Sequence, residues 1–295
     1  MSSRIAAAGA LAAFVACTPV PATTPQPVEA RAATLAAGAD QYFERNEVRL
    51  RYRDVGQGGP VVLLHGYTQR IELMATLADS LSGAYRVIVL DERGFGKSTK
   101  SSDPRWYGRP MVEDVIGLLD RLSIRRAHVI GHSMGALLAA NLALRYPDRV
   151  ASVSLLAGPF FSDSVAFAAM STPYVQALER GQGLTAFFSW LFPSIPDSIV
   201  AGASTQLLAE NDLGSLIGVL RAMGGLMVSA ERAHSARVPA LVAVGTADPL
   251  LPQSRAVAAL WPGARLLVVP DAHHAAVLAH GAVVAAIREV LPTPH

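Results

Sequence analysis

The chain has 295 residues, of which 51% are hydrophobic and only 16% charged, with a formal net charge of +2. That supplies apolar material for a large core, and no basic cluster interleaved with aromatics is present, so a nucleic-acid partner is not expected. The single cysteine, Cys17, excludes an intrachain disulfide framework and a cysteine-based metal site.

Arg4 followed by the apolar run Ile5 to Ala16 has the form of an export signal, and it is too short to span a bilayer as a stable helix. Residues 1–17 are therefore expected to be a leader. Two processing outcomes stay open. Phe14-Val15-Ala16-Cys17 resembles a lipoprotein box, with Phe where Leu is usual; lipidation of Cys17 would anchor the chain to a membrane. Ordinary cleavage further on, after Ala30-Arg31-Ala32, would release a periplasmic protein. Residues 18–40 are rich in Pro, Thr and Ala without periodicity and read as a flexible linker, with the folded domain over 41–295.

Val48 to Arg53 alternates apolar and basic side chains, the pattern of a half-solvated antiparallel strand. Val61-Val62-Leu63-Leu64 and Val87-Ile88-Val89-Leu90 are continuous apolar runs, as expected of strands buried on both faces. His65-Gly66-Tyr67 follows the first run, and Asp91 to Ser98 follows the second. Helical spacing appears at 70–81 and 111–122. Ala127-His128-Val129-Ile130 is the next strand, then Gly131-His132-Ser133-Met134-Gly135, then a helix to Arg145 and a strand over 150–156. Strand, G-x-S-x-G, helix is the context of a nucleophile elbow, in which a strained turn lifts the serine hydroxyl clear of the sheet at a helix N-terminus. A Cβ at 131 or 135 would crowd that turn.

From Gly158 to about Ser235 the pattern changes to apolar, helix-leaning segments broken by Pro and Gly. Strands resume at 239–245 and 265–269, trailed by Asp248 and by Asp271-Ala272-His273-His274, and residues 275–291 read as a terminal helix. Strands alternating with helices indicate an α/β fold with a mostly parallel central sheet covered on both faces.

Ser133, Asp248 and His274 each follow a strand, in the order Ser…Asp…His. With His65-Gly66-Tyr67 and the D-x-R-G-x-G-x-S loop at 91–98, the chain resembles the α/β-hydrolase superfamily over residues 45 to 291. The resemblance implies an α/β-hydrolase fold with a helical cap inserted after the sixth strand, at about 159–235. It implies Ser133 as nucleophile, His274 as base and Asp248 as its acid partner. It also implies the backbone N–H groups of Tyr67 and Met134 as an oxyanion hole. His273 occupies the place where relatives commonly carry Gly, so His273 competes with His274 for the base. Asp271 is too close to the base in sequence to sit behind it easily. His65 is expected to brace its loop, His132 to point away from Ser133, and Asp91 and Arg93 to pair with each other. The cap aromatics favour an apolar small-molecule pocket, with Phe160 and Trp190 the candidates to face it. No cofactor or metal is expected.

The function this implies is an exported serine hydrolase acting on a carboxylic ester, lactone or thioester through an acyl-enzyme. The same triad supports carbon–carbon or amide hydrolysis and cofactor-free perhydrolysis. A serine at 133 argues against the epoxide-hydrolase and dehalogenase branches, which use aspartate there. A non-catalytic binding protein on the same fold is the reading of a different class.

Overall fold

The computed structural model describes residues 34–291. The leader, Cys17 and most of the expected linker lie outside the described residues.

Eight strands form one sheet: β1 (Gln41–Arg45), β2 (Val48–Val55), β3 (Pro60–Leu64), β4 (Arg86–Leu90), β5 (Ala127–His132), β6 (Val150–Leu156), β7 (Ala240–Gly245) and β8 (Arg265–Val269), in the order β1-β2-β4-β3-β5-β6-β7-β8. β2 runs antiparallel to both β1 and β4, and every pairing from β4 to β8 is parallel. The apolar runs explain the parallel part. Val62, Leu64, Ile88, Leu90 and Val242 point into one core, while their neighbours Val61, Leu63, Val87, Val89 and Leu241 point into the other. Strand geometry sends successive side chains to opposite faces, so a strand covered twice must be apolar throughout.

Helices cover both faces: α1 (Ala75–Leu81), α2 (Arg109–Arg121), α3 (Met134–Arg145), α9 (Leu251–Leu260) and α10 (Gly281–Val290). Between β6 and β7 the chain leaves the sheet and builds α4 (Ser164–Glu179), α5 (Thr185–Leu191), α6 (Asp197–Glu210), α7 (Leu213–Met223) and α8 (Ala230–His234). Their core is continuous with one face of the sheet through Phe167, Phe188, Leu216 and Leu226. Buried Asn141 on α3 fastens the return of this segment, donating to the Leu226 carbonyl at 2.7 Å and accepting from Arg232 at 3.2 Å.

Three expectations need correction. Packing against the sheet already includes residues before 41: Leu35 is fully buried, its N–H donates to Asp79 at 2.6 Å and its carbonyl accepts from Arg53 at 3.1 Å. Arg51 does not face water. Its guanidinium is buried against Asp91 at 3.0 Å, Asp40 at 2.7 Å and Glu72 at 2.5 Å, so three carboxylates cover this residue, while Arg49 on the same face of β2 is exposed as expected. Asp91 and Arg93 do brace the loop after β4, but through other partners. Arg93 forks onto Asp114 with two contacts of 2.6 Å, while Asp91 takes Arg51 and the N–H groups of Ile71 and Lys97, each at 2.8 Å.

Candidate active site

Ser133, between β5 and α3, has φ 53° and ψ −116°, a conformation that L-residues avoid without compensation. The neighbours over-determine it. The Ser133 N–H donates to Leu156 O at the end of β6 at 2.8 Å. A Cβ on Gly131 would sit 2.1 Å from the Gly135 carbonyl oxygen, and one on Gly135 would sit 2.2 Å from that of Leu64. Small residues are therefore required where α3 leaves the strand and presses on β3.

Asp248 and His274 follow β7 and β8, and Tyr67 follows β3, so all the candidate groups leave the C-terminal ends of parallel strands, where the connecting loops converge. A Cβ on Gly245 would lie 1.8 Å from Ala272 O, which shows how closely the two loops approach. His274 Nδ1 lies 2.9 Å from Asp248 Oδ2, and Asp248 Oδ1 accepts the Leu250 N–H at 2.9 Å. Both residues are buried. With Nδ1 turned to the carboxylate, the free face of the ring is Nε2. Ser133 and His274 line the same cavity, of about 400 Å³. The structure thus brings together the serine, the histidine and, behind the histidine, the aspartate.

The other histidines divide by position. His273 also lines the cavity, with its ring 5.7 Å edge-on from Phe192, and burial lowers its pKa. His132 is buried; its Nε2 lies 3.1 Å from the His274 carbonyl oxygen, and burial followed by the neighbouring His274 lowers its pKa to about 3. His65 is fully buried, with Nδ1 2.8 Å from Gly66 O and Nε2 paired to the carboxylate of Glu92. Burial opposes charge on that ring, but Glu92 outweighs it and raises the pKa. A carbonyl only accepts, so His65 donates from Nδ1 to the Gly66 carbonyl and fixes the peptide whose N–H belongs to Tyr67. That turn adjoins the elbow, since a Cβ on Gly66 would be 3.2 Å from Ser133 Cβ. The Met134 N–H, first in α3, has no acceptor within its own helix.

The cavity's apolar wall comes from the cap, but not through the aromatics expected. Phe160 is buried with its ring over Gly158, and Trp190 packs on Tyr174 and Phe187 at ring distances of 6.3 and 6.2 Å; neither lines the cavity. The lining residues are Phe187, Phe188, Leu191, Phe192 and Ile195. Trp190 lies two residues from Phe188, about 160° round the helix. The i, i+3, i+4 spacing of 188, 191 and 192 was the signal that identifies the facing side. The polar lining includes Gln69, Arg70, Glu72 and Glu210. Arg70 pairs with Glu210 at 2.5 Å, and this pairing lowers the Glu210 pKa. Among the described residues no group of three or more His, Cys, Asp or Glu could hold a metal ion, and no helix is long and apolar enough to cross a membrane.

An open parallel sheet with a strained serine at the crossover strand and a buried Asp–His pair at the neighbouring strand ends defines a class of fold before any comparison. Residues 59–190 match the family of the alpha/beta hydrolase fold. The chain belongs to the α/β-hydrolase superfamily. It is 32% identical over 251 residues to the dihydrolipoyllysine-residue acetyltransferase component of an acetoin cleaving system from Cupriavidus necator, a match that covers 81% of this chain and 65% of that protein. It is 40% identical over 106 residues to epoxide hydrolase B of Mycobacterium tuberculosis, covering 35% of this chain and 30% of the relative. The chain therefore spans less than two thirds of the length of either curated relative. The solved enol-lactonase of Burkholderia xenovorans LB400 is 25% identical with a TM-score of 0.72, over 85% of this chain and 99% of that one.

Proposed function

We propose that the chain is a serine hydrolase of carboxylic esters or lactones with an apolar acyl group. The observation that carries this reading is a strained Ser133 sharing a cavity with a His274 whose Nδ1 is held by Asp248 at 2.9 Å. Ser133 Oγ attacks the carbonyl carbon as His274 Nε2 takes its proton. Asp248 holds the ring tautomer and stabilises the imidazolium. The N–H groups of Tyr67 and Met134 meet the oxyanion, each donor contributing about 3 kcal/mol. The tetrahedral intermediate collapses, and the leaving alcohol takes the proton from Nε2. Water, deprotonated by His274, then attacks the acyl-enzyme and releases the acid. The aromatic wall of Phe187, Phe188 and Phe192 suits an apolar acyl group. The enol-lactonase likeness is in keeping with an ester-type bond. The epoxide-hydrolase likeness carries less, because that branch depends on an aspartate at the position Ser133 occupies. The leader-like residues 1–17 support export, with Cys17 the point of lipid attachment if the lipoprotein outcome applies.

The test uses the purified protein on p-nitrophenyl acetate, butyrate and octanoate, with fluorophosphonate labelling followed by peptide mapping. Turnover together with a label on Ser133 is expected. A folded sample that neither turns over any ester nor takes the label would end the proposal in favour of a binding protein on this fold.

A further inference from the structure

We infer that the Tyr67 side chain, together with Asn211, is a positioning device that ties the oxyanion turn to the cap, so that the oxyanion site is complete only when the cap is docked. This rests on the ester-hydrolase reading above. Three cap contacts land on one short segment of the core. The Tyr67 hydroxyl donates to the Leu216 carbonyl on α7 at 3.0 Å. The Asn211 amide, just after α6, donates to the Thr68 carbonyl at 3.3 Å. The Arg70 guanidinium reaches Glu210, the last residue of α6, at 2.5 Å.

The segment needs such support. Thr68 has φ 66°, a left-handed conformation unfavourable for a β-branched residue, and it immediately follows Tyr67, the proposed oxyanion donor. The core holds the Gly66–Tyr67 peptide from one side through His65. The cap holds it from the other. The Tyr67 ring stands at the junction, edge-on to Phe95 of the core loop at 6.0 Å and to Phe187 of α5 at 5.8 Å. Phe187 and Tyr67 both line the cavity, so the ring that carries the tie belongs to the same wall as the cap aromatics. An exposed ion pair such as Arg70–Glu210 contributes little by itself. The buried hydroxyl and the amide are the contacts that fix the angle.

Tyr67→Phe keeps the ring and removes the hydroxyl tie. With p-nitrophenyl butyrate, kcat is expected to fall about five- to tenfold with KM within about twofold, because an oxyanion donor acts on the transition state and not on ground-state binding. The fluorophosphonate labelling rate is expected to fall by a similar factor, with Tm little changed. Asn211→Ala, outside the cavity lining, is expected to shift kcat and labelling in the same direction, and it decides the matter alone if Tyr67→Phe does not fold. Wild-type kcat and labelling rate in the folded variants would overturn the inference while leaving the hydrolase reading intact. A wild-type protein that neither labels nor hydrolyses esters would remove both.

Discussion

The Nε2 of His132 lies 3.1 Å from the carbonyl oxygen of His274, so the residue before the proposed nucleophile holds the loop that carries the proposed base. Its ring is neutral at ordinary pH, since burial and then His274 bring its pKa to about 3. A neutral imidazole has one N–H, and the His274 carbonyl at 3.1 Å is a nearer acceptor for it than Gln69 Oε1, 3.3 Å from Nδ1. His132→Phe keeps an aromatic ring and deletes the donor. A net hydrogen bond of about 1 kcal/mol predicts roughly a fivefold fall in kcat if the loss appears as misplacement of His274. Steady-state kinetics with p-nitrophenyl butyrate, beside a thermal melt, checks this.

Ser133→Ala removes the proposed nucleophile from a turn whose geometry depends on the backbone and on Gly131 and Gly135. The protein is expected to fold and melt normally, with activity reduced on the order of 10⁶-fold. Asp248→Asn leaves the shape of its site and changes the tautomer that the ring at 274 prefers; a loss of about 10⁴-fold in kcat is expected. If Asp248→Asn were as active as wild type, the carboxylate 2.9 Å from Nδ1 would have no catalytic part.

Acid should destabilise the fold through two histidines buried as neutral rings. His128 is buried beside Ser152 Oγ at 2.7 Å, and burial, with a contribution from Arg126, lowers its pKa to about 4. His132 lies lower still, at about 3. In the unfolded chain both rings titrate near 6.5, so between there and the folded values the unfolded state binds more protons and stability falls as pH falls. At pH 4 the loss is roughly 3 kcal/mol for each ring. Urea midpoints at pH 7, 5.5 and 4 should decline steadily, and His128→Gln should flatten the decline. A midpoint that is constant over that range would mean the rings are not buried as neutral species.

Gly245→Ala tests the closeness of the loops that carry Asp248 and His274. The added methyl would lie 1.8 Å from Ala272 O, a backbone atom that cannot swing aside. Overpacking of this kind costs about 1–3 kcal/mol and more where backbone must move. The Asp–His pair would be displaced with it, so activity is expected to fall further than stability. Comparing the melting temperature with kcat/KM for the variant separates the two effects.

Much of the fold was legible because buried parallel strands and a nucleophile elbow leave local marks: unbroken apolar runs, and glycines where a Cβ has no room. The first strand escaped notice because its hairpin turns on Asn46 and Glu47, both at positive φ, without the glycine that usually signals such a turn. The cavity wall was misassigned for a different reason. Phe187, Phe188, Trp190 and Phe192 are equivalent by composition, and their phase together with the packing of the helix against its neighbours decides which of them meets the cavity. The partners of Asp91 and Arg93 were beyond local reading, since Arg51 and Asp114 come from distant segments.

Arg51 is the sharpest case of that last kind, and it makes the strongest stability prediction. Its place in an alternating strand suggested a solvated side chain, yet Asp40, Glu72 and Asp91 converge on it from three different segments. Asp91 is itself fully buried and closes the loop beside the candidate site through the N–H groups of Ile71 and Lys97. Arg51→Met would leave that carboxylate without its buried cation, which typically costs about 3–5 kcal/mol. The double variant Arg51→Met with Asp91→Asn removes the orphaned charge and should recover part of the loss, a non-additive result that independent sites would not give. Urea unfolding of the two single variants and the double one measures the coupling, and simple additivity would mean that Asp91 gains nothing from Arg51.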